Sequence, residues 1–454
     1  MIDFDREHLS YCRNLAAALL KGEWTPISLH RLATAAVGPR RRWLKPLLSR
    51  VASAFLAPPR VKPLIAFLVG DEALRKARHD SEKRHRIPLE PAAHFDFPAR
   101  MQPPSSPILR AVPVFETPGQ LAGWLGIPTA RLDWYADLKG LNRHADANLR
   151  HYGYRWLPKR EPETFRLLEV PKPVLKSIQR QILIDILGCL EPHGAAHGFC
   201  RGRSIATNAR EHCGRAIVIR FDLQDFFTSI PTAKVAAIFD SLGYPEKVAR
   251  SLAGLCTTRL PLRIWNGKPG VRDERDHAAW TRLALPHLPQ GAPTSPALAN
   301  LCALKLDYRL SALARNVDAT YTRYADDLTF SGPAEFAVAR LQRSVMEICA
   351  EEGFALNPGK TRIQRHSSRQ TVAGVVVNVR PNIARVDYDR LKAILNNCAR
   401  LGPKGQNRED HPDFRAYLAG RIAFVAMLNP QRARKLWPIF DRIDWGEVLL
   451  KPAP

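Results

Sequence analysis

Ala319-Thr320-Tyr321-Thr322-Arg323-Tyr324-Ala325-Asp326-Asp327-Leu328-Thr329-Phe330-Ser331-Gly332 sets two adjacent carboxylates inside an otherwise strand-forming run. Tyr321, Tyr324, Leu328, Thr329 and Phe330 favour extended backbone on either side of Ala325-Asp326-Asp327, and Gly332 ends the run. The stretch reads as a β-hairpin with acids at its turn. Two like charges held in a half-buried turn repel and raise each other's pKa, which makes the pair costly as a purely structural feature. A divalent cation relieves the repulsion, and Mg²⁺ is usually held by one or two carboxylates together with substrate phosphates. A lone Asp-Asp dipeptide is more often an ordinary polar turn, so the reading depends on what the rest of the chain supplies.

It supplies a third acid. Ala216-Ile217-Val218-Ile219-Arg220-Phe221-Asp222-Leu223 is a β-branched strand that delivers Asp222 at its end, followed by Gln224-Asp225-Phe226-Phe227. Three acids from two strands can clamp two metal ions about 4 Å apart, one at a 3′ hydroxyl and one at the leaving phosphates. Between them lies Leu288-Pro289-Gln290-Gly291-Ala292-Pro293-Thr294-Ser295-Pro296, a rigid loop leading into a helix predicted over Ala297 to Leu310. Gly291 permits close approach of backbone to a ligand, and Gln290 can hydrogen-bond a base or sugar. Upstream, Tyr154–Lys159 and Thr164–Val170 pair as a hairpin with Lys159 and Arg166 flanking its turn. Downstream, a helix over Ala334 to Glu352 precedes Gly353-Phe354-Ala355-Leu356-Asn357-Pro358-Gly359-Lys360, where a cation could meet a leaving group.

The chain has 454 residues, and Lys plus Arg 68 against Asp plus Glu 43 gives a net charge of +25. That excess on a globular composition points to a polyanionic partner, with nucleic acid foremost. Eight scattered cysteines without a C-x-x-C pair fit a reduced, cytoplasmic protein. Cys189, His193, His197 and Cys200 have spacing that could ligate zinc, a weak signal on its own. Met1 to Glu7 is acid-rich and no apolar run reaches ~18 residues, so neither export nor a membrane partner is expected.

Residues 1–87 read as a basic helical extension, with helices around Leu9–Leu20, Ile27–Ala36, Trp43–Phe55 and Val61–Ala77 and basic runs at Arg40-Arg41-Arg42 and Lys83-Arg84-His85-Arg86. Eight prolines between Pro88 and Pro118 mark 88–117 as a linker. Thr117-Pro118-Gly119-Gln120 is a capping-box start for a compact body. Val174, Ile178, Ile182, Ile186 and Leu190 predict an amphipathic helix.

With Asp222, Gln290-Gly291 and Tyr324-Ala325-Asp326-Asp327 in this order, the chain resembles reverse transcriptases, specifically those of bacterial retrons, over about Pro118 to Trp445. Ala196-His197-Gly198-Phe199 with Gly202-Arg203-Ser204 is similar to a fingers segment shared with group II intron relatives, which disfavours zinc there. Asn208-Ala209-Arg210-Glu211-His212 is similar to a retron signature. Val372-Ala373-Gly374 stands where retron enzymes carry Val-Thr-Gly, so a hydroxyl implicated in recognising the cognate RNA is missing.

The resemblance implies an α+β right-hand polymerase with an antiparallel palm sheet: fingers and palm over 118–380, a helical thumb over 381–454, and the helical N-terminal extension. It implies Asp222, Leu223, Asp326 and Asp327 as ligands of two Mg²⁺ ions, with Mn²⁺ as the alternative metal. Lys159 and Arg166 would grip the triphosphate, Phe227 would be the steric gate against a 2′ hydroxyl, and Gln290 and Gly291 would line the nucleotide. Lys360 would protonate pyrophosphate. Asn208, His212, Val372, Ala373 and Gly374 would meet RNA, with Val372–Val379 as the primer grip. The implied partners are a cognate noncoding RNA as template and primer, dNTPs, the RNA–DNA hybrid, an effector protein and, since the chain ends at Pro454 without room for such a domain, a host RNase H. Group II intron-type or abortive-infection reverse transcriptases, and a non-catalytic RNA-binding chaperone on this scaffold, remain the alternatives.

Overall fold

The computed structural model describes residues 2–20, 24–37, 41–59, 61–85, 101, 112–159, 164–270, 274–334 and 337–445. The chain divides into two compact units, the first formed by residues 1–104 together with 114–120 and 243–245. This first unit contains α1 (Ile2–Leu19), α2 (Pro26–Val37), α3 (Leu44–Ala54), α4 (Val61–Gly70) and α5 (Glu72–His85). It has its own core, built from Leu15, Leu19, Leu29, Leu47, Leu64 and Leu68. The single helix expected over Val61–Ala77 is two helices. Asp71 breaks it, because its carboxylate accepts the Leu74 amide at 2.8 Å as a cap and pairs with Arg50 at 2.8 Å. The basic run Lys83-Arg84-His85-Arg86 has its side chains outside the described residues, as does Arg40, and most of the Pro88–Pro118 stretch lies outside them too.

α6 (Pro118–Trp124) straddles the division between the units. At its start Thr117 Oγ1 accepts from the Gln120 amide at 3.2 Å, but Gln120 reaches back to the Glu116 amide rather than to Thr117, a shifted capping box. The second unit continues with α7 (Thr129–Ala136), the hairpin β1 (Tyr152–Pro158) and β2 (Phe165–Pro171), α8 (Pro173–Asp185), α9 (Ile205–Arg210) and β3 (Ile217–Asp222). Next come α10 (Thr232–Ser241), α11 (Glu246–Cys256), α12 (Leu262–Asn266), α13 (Glu274–Leu283), α14 (Ser295–Cys302) and α15 (Leu304–Asn316). Then follow β4 (Thr320–Tyr324), β5 (Asp327–Gly332), α16 (Val338–Glu351), β6 (Arg362–Arg365), β7 (Thr371–Val372) and β8 (Val375–Val376). Last are α17 (Arg385–Leu401), α18 (Phe414–Leu428), α19 (Pro430–Arg434) and α20 (Trp437–Phe440).

The sheet that positions the site is antiparallel, in the order β4-β5-β3-β6. In β3, Ile217, Val218, Ile219 and Phe221 are all buried, so both faces of the strand are covered and the sequence reads as a continuous apolar run. Two helical expectations need correction. The stripe from Val174 fails at both ends: Val174 is exposed while Leu175 is buried, and α8 stops at Asp185, before Ile186 and Leu190. The helix expected over Ala297–Leu310 breaks at Ala303, between α14 and α15. The C-terminal helices α17–α20 close on a separate cluster that includes Leu391, Leu395, Leu418, Ile422 and Leu436.

Candidate active site

β3 and β5 run antiparallel with Asp222 directly opposite Asp327, and the Leu223 amide donates to the Asp326 carbonyl at 2.8 Å. The strand register therefore gathers all three acids at one end of the two inner strands. Ala325, between Tyr324 and Asp326, adopts a left-handed φ of 57°, which makes the turn tight enough to present both carboxylates. Burial, then the charge of Asp222, raises the pKa of Asp326, against the pull of Lys360 and Arg166. Burial also raises that of Asp327, opposed by the Arg220 guanidinium, which ion-pairs with it. Arg220 was not singled out from the sequence, although it is two residues before Asp222 and so on the same strand face. Lys360, in a 3₁₀ turn over Pro358–Lys360, lays its ammonium 3.0 Å and 3.3 Å from the two carboxylate oxygens of Asp222.

Among the described residues, no three His, Cys, Asp or Glu side chains already converge as a metal cage. The donor chemistry nevertheless suits a hard divalent cation: carboxylates only, half-desolvated, with raised pKa values that added positive charge would lower. A cation here would compete with Lys360 for Asp222 and with Arg220 for Asp327. The Leu223 side chain is buried in the core, so the one donor it can offer is its main-chain carbonyl. Cys189, His193, His197 and Cys200 hydrogen-bond to the protein, Cys200 to the Ala196 carbonyl at 3.2 Å and His197 Nδ1 to Thr207 at 2.9 Å.

In the β1–β2 hairpin Arg166 opposes Leu157, and Lys159 follows two residues later, so both cations lie on one face. The Gln290-Gly291 loop docks on this hairpin. The Glu169 amide donates to the Gln290 carbonyl at 2.9 Å, and a Cβ on Gly291, at φ 133°, would stand 3.1 Å from the Glu169 carbonyl oxygen. Beneath it, Glu169 is fully buried and its carboxylate meets His287 Nε2 at 3.0 Å, while His287 Nδ1 donates to the Leu285 carbonyl at 2.8 Å. Neither residue was read from the sequence. Burial depresses the His287 pKa, but the charge and hydrogen bond of Glu169 and the Leu285 carbonyl outweigh it, and the net shift is upward. A raised histidine stabilises the fold fully below its unfolded value near 6.5 and loses that contribution as pH rises through the folded value. We therefore expect Glu169→Gln to cost about 1.5–3 kcal/mol near pH 6. Thermal melts across pH should show the gap to the parent protein closing toward alkaline pH, and a gap that widens there would contradict this pairing.

Phe227 lies half-buried five residues past Asp222, reached by a turn in which Asp225 has φ 50° and ion-pairs with Arg282 of α13. The expected RNA contacts divide. Ala373 and Gly374, at φ 46° and 83°, form the two-residue turn between β7 and β8, a geometry that demands left-handed backbone at both positions. Val372 is instead buried in the core beneath. Asn208 and His212, also expected to meet RNA, are buried as well. His212 places Nδ1 and Nε2 each 2.7 Å from the hydroxyls of Ser331 and Thr322, stapling α9's C-terminal side to β5 and β4. Burial pushes its pKa down to about 3, so it stays neutral.

One buried charge pair ties these parts together. Arg323 of β4 donates from Nε to Asp307 at 2.9 Å and from a terminal nitrogen to its second oxygen at 2.6 Å. Its other terminal nitrogen reaches the Asn300 side chain at 2.9 Å and the Ala325 carbonyl at 3.1 Å. Arg323 and Asp307 are fully buried.

Residues 157–377 match the family described as reverse transcriptase (RNA-dependent DNA polymerase). The chain is 40% identical over 334 residues to the retron Mx65 reverse transcriptase of Myxococcus xanthus, covering 72% of this chain and 71% of that one. It is 38% identical over 332 residues to the retron Mx162 reverse transcriptase of the same organism, covering 69% and 64% of the two chains. It is 32% identical over 301 residues to the retron Ec86 reverse transcriptase of Escherichia coli, covering 66% and 82%. Among the described residues no helix is long and apolar enough to cross a membrane. Three acids at one end of the inner strands, with the charge of Arg166 acting on Asp326 and all within this span of similarity, make the chain a member of the bacterial retron reverse transcriptases, RNA-directed DNA polymerases of the right-hand fold that use divalent metal ions.

Proposed function

We propose that this enzyme copies part of a structured noncoding RNA into single-stranded DNA, starting from a 2′ hydroxyl of a guanosine in that RNA and leaving a branched RNA–DNA product. The observation that carries this reading is the meeting of Asp222, Asp326 and Asp327 in a chain similar along most of its length to retron enzymes. Asp222, Asp326, Asp327 and the Leu223 carbonyl would hold two Mg²⁺ ions, which when bound acidify the attacking hydroxyl and neutralise the leaving phosphates. Lys159 and Arg166 bind the triphosphate from the hairpin face they share. Gln290 and Gly291 line the nucleotide, their loop fixed by Glu169. Lys360, whose Nζ lies 3.0 Å from an Asp222 oxygen, would meet departing pyrophosphate. Ala373 and Gly374 present backbone to RNA at the β7–β8 turn.

The domain reading pairs fingers and palm over 118–380 with a thumb from 381 and a basic extension over 1–87 that docks RNA or an effector protein. The setting is cytoplasmic antiphage defence, with RNA removal by a host RNase H. The test is a gel of small nucleic acids from cells carrying the native locus, with and without RNase. A discrete species that shortens with RNase, persists as DNA and vanishes in Asp326→Asn supports the reading. Its absence, alongside Mg²⁺-dependent primer extension by the purified protein on RNA, would leave a reverse transcriptase without the branched product.

Phe227 supplies a separate prediction. Its ring beneath the sugar excludes a 2′ hydroxyl, so Phe227→Val should raise ribonucleotide incorporation roughly 100-fold, the order set by removing a steric clash worth about 3 kcal/mol. Single-nucleotide extension with matched dNTP and rNTP checks it, and unchanged sugar discrimination would reject the gate.

A further inference from the structure

We infer that Phe199 is a second specificity-determining residue, a positioning residue whose ring holds Phe227 in place as the sugar gate. This rests on the reading of Phe227 given above.

Phe199 belongs to a segment laid along the free edge of β4. Ala196 bridges Arg323 in parallel register, with the His197 amide donating to the Arg323 carbonyl at 2.8 Å and the Arg323 amide to the Ala195 carbonyl at 2.8 Å. The segment continues against the catalytic turn itself: a Cβ on Gly198 would stand 2.6 Å from the Ala325 nitrogen, so only glycine fits. Asn300, which also receives Arg323, donates to the Gly198 carbonyl at 2.9 Å. The backbone entering Phe199 is thus fixed by the same network that fixes the Asp-Asp turn.

Phe199 itself is anomalous. Its φ is 62°, a left-handed conformation that a bulky side chain rarely adopts. The residue is 51% exposed, so burial does not compensate. Glycine or asparagine would occupy the position with less strain. What phenylalanine adds is a ring in a particular place, with its centroid 6.1 Å from that of Phe227 and the planes tilted by 52°. Phe227 also meets Phe226, with ring centroids 5.6 Å apart. Phe226 is buried, with its ring centroid 5.7 Å from that of Phe354 and 5.5 Å from the Arg323 guanidinium. Phe227 therefore has two ring neighbours, Phe226 buried in the core and Phe199 held by left-handed backbone. A gate discriminates only as far as its ring resists being pushed aside, and without the Phe199 ring Phe227 loses one of these two neighbours.

The test is single-nucleotide extension on an RNA template by the full-length protein, reading kcat/KM for matched rNTP and dNTP in the parent, Phe199→Ala, Phe199→Tyr, Phe227→Ala and the double alanine variant. Phe199→Ala should raise the rNTP-to-dNTP ratio roughly fivefold, the factor equivalent to one aromatic contact of about 1 kcal/mol at 1.4 kcal/mol per tenfold. Phe199→Tyr should restore the ratio, and Phe199→Ala should add nothing in the Phe227→Ala background. An unchanged ratio in Phe199→Ala, or the same fivefold effect when Phe227 is already alanine, would overturn the inference while leaving the gate intact. If Phe227→Ala itself leaves the ratio unchanged, the gate fails and the inference with it. Thermal melts of Phe199→Gly, which relieves the strain, should match or exceed the parent, and a large drop would instead assign Phe199 to fold stability.

Discussion

An Asp326→Asn variant is expected to lose roughly 10³-fold in DNA synthesis, since charge stabilisation through a metal is worth several kcal/mol and each 1.36 kcal/mol is tenfold in rate. The same variant should melt at or above the temperature of the parent protein in chelator. Asp326 is pushed toward neutrality by burial and by the charge of Asp222. An acid whose folded pKa is raised carries no folding cost below its ordinary value near 4, and a growing cost as pH climbs through the raised value. The cost is complete once pH exceeds the raised value, and asparagine removes it. Asp327 is raised by burial too, but Arg220 offsets part of the cost through its ion pair, so Asp327→Asn should gain less stability than Asp326→Asn. Rapid-quench primer extension on RNA, paired with melts of the same preparations, reads both quantities. Activity above a tenth of the parent, or a loss that merely tracks a lower melting temperature, would sink the assignment.

The hairpin and its acids were legible because strand-forming residues bracket the turn locally, and Asp222 because a β-branched run ends on it. The facing of Asp222 and Asp327 was not, since it depends on the long-range register of β3 against β5. Arg220 could have been found by strand parity, two residues before Asp222. Asn208 and His212 show the converse: a recognisable signature falls on two buried residues, and the hydroxyls of Ser331 and Thr322 meet the His212 imidazole. Glu169 and His287 carry no local pattern, because their pairing exists only once the Gln290-Gly291 loop docks on β2. Phe199 is equally silent, since a left-handed phenylalanine is imposed by contacts with β4 and Asn300 and not by its neighbours in sequence.

Arg323→Met should destabilise the fold by about 3–5 kcal/mol, because it leaves the carboxylate of Asp307 buried without its partner. Among the described residues Asp307 would retain the Tyr321 hydroxyl at 2.8 Å, too little to replace a bidentate guanidinium. Stability alone cannot separate a structural pair from one that serves the site, so the informative variant is Arg323→Met combined with Asp307→Leu. Replacing a buried ion pair by apolar side chains of similar volume is often neutral or stabilising, and the double variant should recover most of the lost melting temperature. Its activity should not recover. The guanidinium also holds the carbonyl of Ala325, the left-handed residue that sets the Asp-Asp turn, and links it through Asn300 to the Gly198 segment behind that turn. Methionine cannot donate to either acceptor, and a shift of about 1 Å in reacting groups costs on the order of 10²-fold. The double variant should therefore be folded and slow, with the loss in kcat exceeding any change in the KM for dNTP, because the triphosphate grip proposed for Lys159 and Arg166 is untouched. Recovery of stability and rate together would reduce Arg323 and Asp307 to a core ion pair with no bearing on the turn.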